Sequence, residues 1–226
     1  MFFGNSEPTD YDLRFELFGI PVRVHPTFWV ASAFLGWSNL RFENGPILLF
    51  IWVLAVFVHV LVHEFGHALT ARHYGWPPQV VLYGMGGYAA FHPGRAYTTG
   101  KHVLTLFAGP GAGFVLYLAI SLAWPYVERF GPNVFVVEFK EDLQTLNIVW
   151  GIFNLFPIFP LDGGQISRLL LTHWFPRGGF EWSLRISFGC AAVLCLIGVL
   201  NNSMLLAIMM AMFAVESYMA LQQSRY

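Results

Sequence analysis

The chain has 226 residues, of which 56% are hydrophobic, 18% aromatic and only 11% charged, with a net charge of −1 and a mean hydropathy of +0.56. Such a composition is too apolar for an ordinary soluble domain and puts the chain in a lipid bilayer. Its few basic residues never form a run, so no nucleic-acid partner is expected.

In chain order, Met1 to Glu16 is mixed and acidic and shows no cleavable signal peptide. Leu13 to Val24 alternates apolar residues with Arg14, Glu16 and Arg23 and turns near Phe18-Gly19, which reads as strands or as an interfacial loop. Windows of about 18 to 25 apolar residues then give candidate spans near 26–40, 46–74, 103–124, 143–160, 184–200 and 203–221. The second is well punctuated, with Gly45-Pro46 at its start and Gly75 after its end. After it, Val80 to Phe91 reads VVLYGMGGYAAF, where the glycine cluster suits a hairpin or bulge, or again an interfacial loop. The fourth span is expected to start with Asp142 as N-cap. It should lose helical form near Phe156, because Pro157 and Pro160 disfavour helix in the residues before them. Cys190 and Cys195 are five apart on one apolar segment, do not face each other on a helix, and are read as packing residues. The expectation is one membrane domain over residues 1–226: an all-α polytopic protein with about six transmembrane helices and short interfacial β segments.

Loop cations set the expected orientation. With six spans both termini share one face, which holds Arg14, Arg23, Arg72, Arg95, Lys101, Arg168, Arg177, Arg185 and Arg225; the other face holds Arg41, Arg129 and Lys140. The positive-inside rule then puts both termini in the cytoplasm of a multi-pass protein of the cell (inner) membrane.

The polar exception in the second span is His63-Glu64-Phe65-Gly66-His67. On a helix the two histidines are one turn apart on one face, so both imidazoles can reach one Zn²⁺. Glu64 lies beside them, close enough to take a proton from water at the metal. Polar groups like these are costly in a bilayer and are rarely kept there without a task. Two histidines leave a zinc site incomplete, and the best third ligand is Asp162. His63 and His67 lie about 26–32 Å along the second span, and Asp162, after a helix and a proline-rich extended stretch, about 35 Å along the fourth. An aspartate there also suits the N-cap of a helix starting near Gln165. His59 shares the face of His63 and His67, but three ligands over about 12 Å of rigid helix cannot easily meet one tetrahedral ion; it is read as a supporting or packing residue.

These motifs resemble the site-2 protease family of intramembrane zinc metalloproteases. The resemblance rests on His63-Glu64-x-x-His67 in an apolar helix and on Asn154-x-x-Pro157 leading into Leu161-Asp162-Gly163-Gly164. It extends to Phe18-Gly19-Ile20-Pro21 with Val24-His25, to Gly86-Gly87 and to Ala108-Gly109-Pro110. Many relatives read Asn-Pro-x-Pro where Asn154-Leu155-Phe156-Pro157 stands here, and many carry Asn where this chain has Gly113. The chain looks like a minimal form, with no PDZ-like insertion and no tandem regulatory domain. The resemblance implies one zinc ion on His63, His67 and Asp162, with Glu64 as the catalytic base. The substrate would be a transmembrane segment of a membrane protein, cut near the cytoplasmic side. Asn154 would hold the unwound peptide or its developing oxyanion, or else make a polar contact between helices. Gly86 and Gly87 would help to keep the peptide extended.

Two readings from other classes compete. A catalytically silent membrane-binding protein of the same fold has little reason to keep His63, Glu64, His67 and Asp162 together. A di-iron oxidase, hinted at by His59-x-x-x-His63, needs further histidine clusters on one face, and the sequence lacks them.

Overall fold

A computed structural model describes residues 7–84, 86–94 and 97–224. Arg95 and Arg225, counted above on the cation-rich face, lie outside them, as does Met85 of the hairpin. The chain packs as two compact units, residues 7–97 with 108–151 and residues 98–107 with 152–224.

The first unit is built on a four-stranded sheet in the order β1 (Leu13–Leu17), β2 (Ile20–Val24), β3 (Pro78–Tyr83), β4 (Gly86–Phe91). Both hairpins are antiparallel, and β2 runs parallel to β3 with Val22 opposite Val80. The strands anticipated from alternation are therefore present, and they form one sheet. The β1–β2 turn is two residues long, with φ +52° at Phe18 and +73° at Gly19. Positive φ at both positions gives a turn whose twist matches the flanking strands. The unusual conformation at Phe18 is supported by an edge-to-face contact with Phe65 at 6.2 Å and by the Arg72 guanidinium donating to the Phe18 carbonyl. Alternation puts Ile20, Val22 and Val24 on one buried face, while Arg23 turns the other way and pairs with Asp12 at 3.1 Å.

That apolar face packs on α1 (Pro26–Leu35) and α2 (Gly45–His73), with Phe28, Ala55, Val60, Phe65 and Ala68 in one core. Leu143 and Leu146 of α4 (Val134–Asn154) join it. The first candidate span, 26–40, is only a ten-residue helix followed by a 3-10 turn, Trp37–Arg41. It is held to α2 by Trp52, whose indole N–H donates to the Ser32 carbonyl at 3.1 Å.

The second unit contains α5 (Asp162–Trp174), α6 (Gly179–Leu200) and α7 (Met204–Gln223), with the first residues of α3 (Thr99–Glu128). The α6–α7 pair is tight enough at its Asn201–Ser203 turn that a Cβ on Gly198 would lie 2.8 Å from the Ala207 nitrogen.

Four helices are long and apolar enough to cross a membrane: α2, α3, α6 and α7. Of the six spans expected, four are helices of this kind among the described residues. α1 is too short, and α4 carries Glu138, Lys140, Glu141 and Asp142 in its N-terminal half. α4 also starts eight residues before Asp142. Its first turn is capped by the Asn133 side chain, which accepts from the Val136 N–H at 3.1 Å; Asp142 is a mid-helix residue, and it does not cap a helix start. The end of α4 at Asn154 agrees with the proline argument.

Candidate metal centre

α2 places its polar residues on two sides. His63 and His67, 6% and 5% exposed, stand one turn apart with their Nε2 atoms 3.1 Å from each other and their rings close to perpendicular. Two nitrogens on one tetrahedral zinc, each about 2.05 Å from it, are separated by about 3.3 Å. The pair thus already has the spacing that a shared ion requires. α3 closes over it through Gly109, where any Cβ would strike Nε2 of His67 and come within 2.8 Å of Nε2 of His63. One turn along, Gly66 lies against the Ala108 carbonyl, with Ala112 beside it. Small residues let the two helix backbones approach until the imidazoles touch α3.

Glu64 is about 100° further round the helix and meets the sheet instead. It is 5% exposed, and a Cβ on Gly87 of β4 would sit 2.7 Å from its Cγ and 2.8 Å from its Oε1. Gly87, expected in the sequence as a substrate-handling residue, is thus the floor on which the Glu64 carboxylate rests. Gly86 opens β4 opposite Tyr83 with φ +120°, a conformation that L side chains rarely adopt.

His59, one turn before His63, points at α4. Its Nδ1 lies 3.1 Å from Oδ1 of Asn147. The Asn147 amide nitrogen donates to the Leu143 carbonyl, which leaves Oδ1 as acceptor and assigns the His59 proton to Nδ1. His59 is therefore an anchor between α2 and α4. Its partner Asn147, fully buried, was not singled out in the sequence, although a lone asparagine within an apolar run is the available signal.

Asp162 is reached through a non-helical turn. α4 ends at Asn154, itself 8% exposed, and α5 begins at Asp162, so the aspartate is the first residue of that helix and does not cap one starting near Gln165. The positive end of the α5 dipole favours its carboxylate. Gly163 and Gly164 follow because the first turn of α5 presses on the backbone of 155–159, where any Cβ would collide with the Leu155 and Ile158 carbonyl groups. Ligand atoms of His63, His67 and Asp162, all buried, lie within 4.8 Å of one another. Two imidazoles and a carboxylate form a group able to bind a metal, and the donor set suits zinc.

Residues 131–198 match peptidase family M50. The chain is 27% identical over 216 residues to a zinc metalloprotease of Methanocaldococcus jannaschii, covering 95% of this chain and 60% of that protein. It is 31% identical over 189 residues to Rip3 of Mycobacterium tuberculosis, covering 76% of this chain and 45% of that protein. It is 27% identical over 179 residues to stage IV sporulation protein FB of Bacillus subtilis, covering 79% and 56%. The chain therefore spans 60% or less of the length of these curated relatives. Among solved structures, the site-2 protease from M. jannaschii superposes with a TM-score of 0.63 at 25% identity, over 93% of this chain and 95% of that one. Motifs, fold and matches agree in their similarity to the M50, or site-2 protease, family.

Proposed function

We propose that this chain is an intramembrane zinc endopeptidase that hydrolyses a peptide bond within a transmembrane segment of membrane-protein substrates, near the cytoplasmic side. The observation that carries the reading is the arrangement on α2. Two imidazole nitrogens at ligand spacing stand next to a buried glutamate backed by a strand, all within a helix apolar enough to span a bilayer. His63, His67 and Asp162 would hold one zinc ion, whose chemistry there is Lewis-acid polarisation of the scissile carbonyl and acidification of water.

Glu64 is the base. Its carboxylate accepts a proton from the attacking water as the new C–O bond forms, then returns that proton to the leaving nitrogen as the peptide C–N bond breaks. Burial beside an apolar sheet face keeps bulk water from competing for the same carboxylate. Asn154, whose side chain amide can donate, is assigned to the substrate carbonyl or oxyanion. A helical substrate hides its peptide groups in internal hydrogen bonds and must unwind before it can be cut. β4 ends the strand order, and its outer edge offers backbone partners to an extended peptide. Gly86 and Gly87 leave room for that peptide. Counted on six spans, the loop cations favour a cytoplasmic placement of both termini and of the active site.

Glu64→Gln keeps shape and volume but cannot accept the proton. In a membrane-reporter fusion, cleavage should nearly vanish while zinc stays bound. Cleavage within a few-fold of the parent would remove Glu64 from this role and the endopeptidase reading with it.

A further inference from the structure

The turn that delivers Asp162 has an unusual backbone account. Between α4 and α5 the Ile158 N–H donates to the Phe156 carbonyl at 2.7 Å, and the Leu161 N–H donates to the Ile158 carbonyl at 2.8 Å. Pro160 has no N–H to place. The Phe159 N–H alone among these goes to a side chain of another helix, donating to Oγ of Ser187 on α6 at 2.8 Å. Ser187 is 1% exposed, and its Oγ lies 2.7 Å from Oγ of Ser217 on α7, which is fully buried. A hydroxyl has two acceptor sites and one proton, so Ser187 can serve both partners at once. Further contacts grip the same turn. The Gln165 side chain donates to the Pro160 carbonyl at 3.2 Å, and the Arg168 guanidinium stacks over the Phe159 ring at 5.2 Å.

Serines in apolar helices commonly bond their own helix one turn back. Ser183, one turn before Ser187, is buried and has a local partner, donating to the Phe180 carbonyl at 2.7 Å. Ser187 instead reaches the turn three residues ahead of Asp162. In an apolar surrounding, a peptide N–H stripped of its partner is costly and the turn must shift to find another. Because α5 starts at Asp162 itself, a shift in the turn moves the carboxylate directly.

We propose that Ser187, backed by Ser217, is a positioning residue for the metal ligand Asp162, acting through the Phe159 peptide N–H. The proposal rests on the zinc reading above. It makes α6 and α7, which supply no ligand, determinants of how tightly the metal is held.

The test is zinc release from purified, zinc-loaded protein into excess chelator. Ser187→Ala should release zinc about tenfold faster than the parent, as removal of a group that orients a ligand does. Ser217→Ala should show a smaller acceleration, and Ser183→Ala none. In an Asp162→Ala background, Ser187→Ala should add no further change to whatever zinc binding remains, an outcome that general loosening of the bundle would not give. If Ser187→Ala does not fold, Ser187→Cys, close in volume and a weaker acceptor, should show the same direction. Parent-like release from Ser187→Ala, or from Ser187→Cys where the alanine variant fails, would overturn the proposal, and so would an undiminished Ser187 effect without Asp162. Parent protein that binds no zinc, or Asp162→Ala that keeps it as tightly as the parent, would instead overturn the zinc reading itself.

Discussion

The proposed ligands come from two kinds of structure. His63 and His67 belong to an uninterrupted helix of 29 residues, where one turn of α-helix fixes their relation before any tertiary contact is made. Asp162 follows a seven-residue non-helical turn, 155–161, whose shape is set by glycines at 163 and 164, by Gln165, and by serines more than 25 residues away. The helical pair is fixed locally by backbone periodicity. The aspartate is fixed at a distance, so its geometry inherits the stability of several other helices. The same contrast separates Glu64 from its setting. The glutamate comes with the helix, but its orientation depends on a glycine in a strand that the helix meets only on folding.

Substitutions separate the locally fixed groups from those fixed at a distance. The largest effect should come from the helix: Glu64→Gln lowers cleavage by about 10²–10⁴-fold, the usual worth of a general base, while zinc content by elemental analysis stays at the parent level. Next is the strand beneath it. In Gly87→Ala the new methyl would sit 2.8 Å from Glu64 Oε1, so the carboxylate must move. Cleavage should fall by about a hundredfold, the cost of misplacing a reacting group by an ångström, again with zinc retained. Gly111→Ala, where nothing lies within 4 Å of the added carbon, should leave cleavage unchanged and serves as the comparison. Equal losses in the two variants would mean that Gly87 acts only through general packing.

A third substitution tests the helix side without touching chemistry. His59→Ala removes the bond to Asn147 and leaves a buried amide oxygen short of a donor, which should cost about 1–2 kcal/mol in unfolding free energy. Zinc binding should survive, since His63 and His67 keep their spacing within the helix. Loss of zinc on His59→Ala would show that the spacing of the pair depends on its anchor to α4.

The smallest effect concerns the charged N-terminal half of α4, which precedes the 143–160 stretch. Burial, with Glu138 and Glu141 close by, raises the Asp142 carboxyl from 3.8 to about 6. A carboxyl with a raised folded-state pKa costs stability once it ionises. The cost is absent below about pH 4, where both folded and unfolded chains carry the proton, and reaches its full size above about pH 6. Asp142→Asn should therefore raise the melting temperature at pH 8 by no more than about 2 °C, the site being only half-buried, and leave it unchanged at pH 4. Thermal unfolding in detergent at the two values decides the sign.

Features that repeat with the period of an element were legible in the sequence. His63, Glu64 and His67 follow from helical spacing, Ile20, Val22 and Val24 from strand alternation, and the Phe18-Gly19 reversal from turn chemistry. The end of α4 followed from Pro157 and Pro160. Its beginning did not, because charged residues from Glu138 to Asp142 resemble a loop when the burial of the intervening apolar positions is unknown. The sheet order was hidden for another reason: β2 and β3 are joined in parallel across α1 and α2, and nothing in either strand names its partner. The close approach of Gly109 to two imidazoles and the reach of Ser187 to Phe159 were equally hidden. A glycine or serine in an apolar helix has many uses, and only the packed structure selects one.

In the proposed centre a locally fixed histidine pair and a distantly fixed aspartate share one zinc ion. Elemental analysis of purified parent protein beside Asp162→Ala tests it most directly. One zinc per chain is expected in the parent, with a substantial loss in the variant at equal folded content. A parent that cleaves substrate without zinc, or a variant that keeps its full complement, would contradict it.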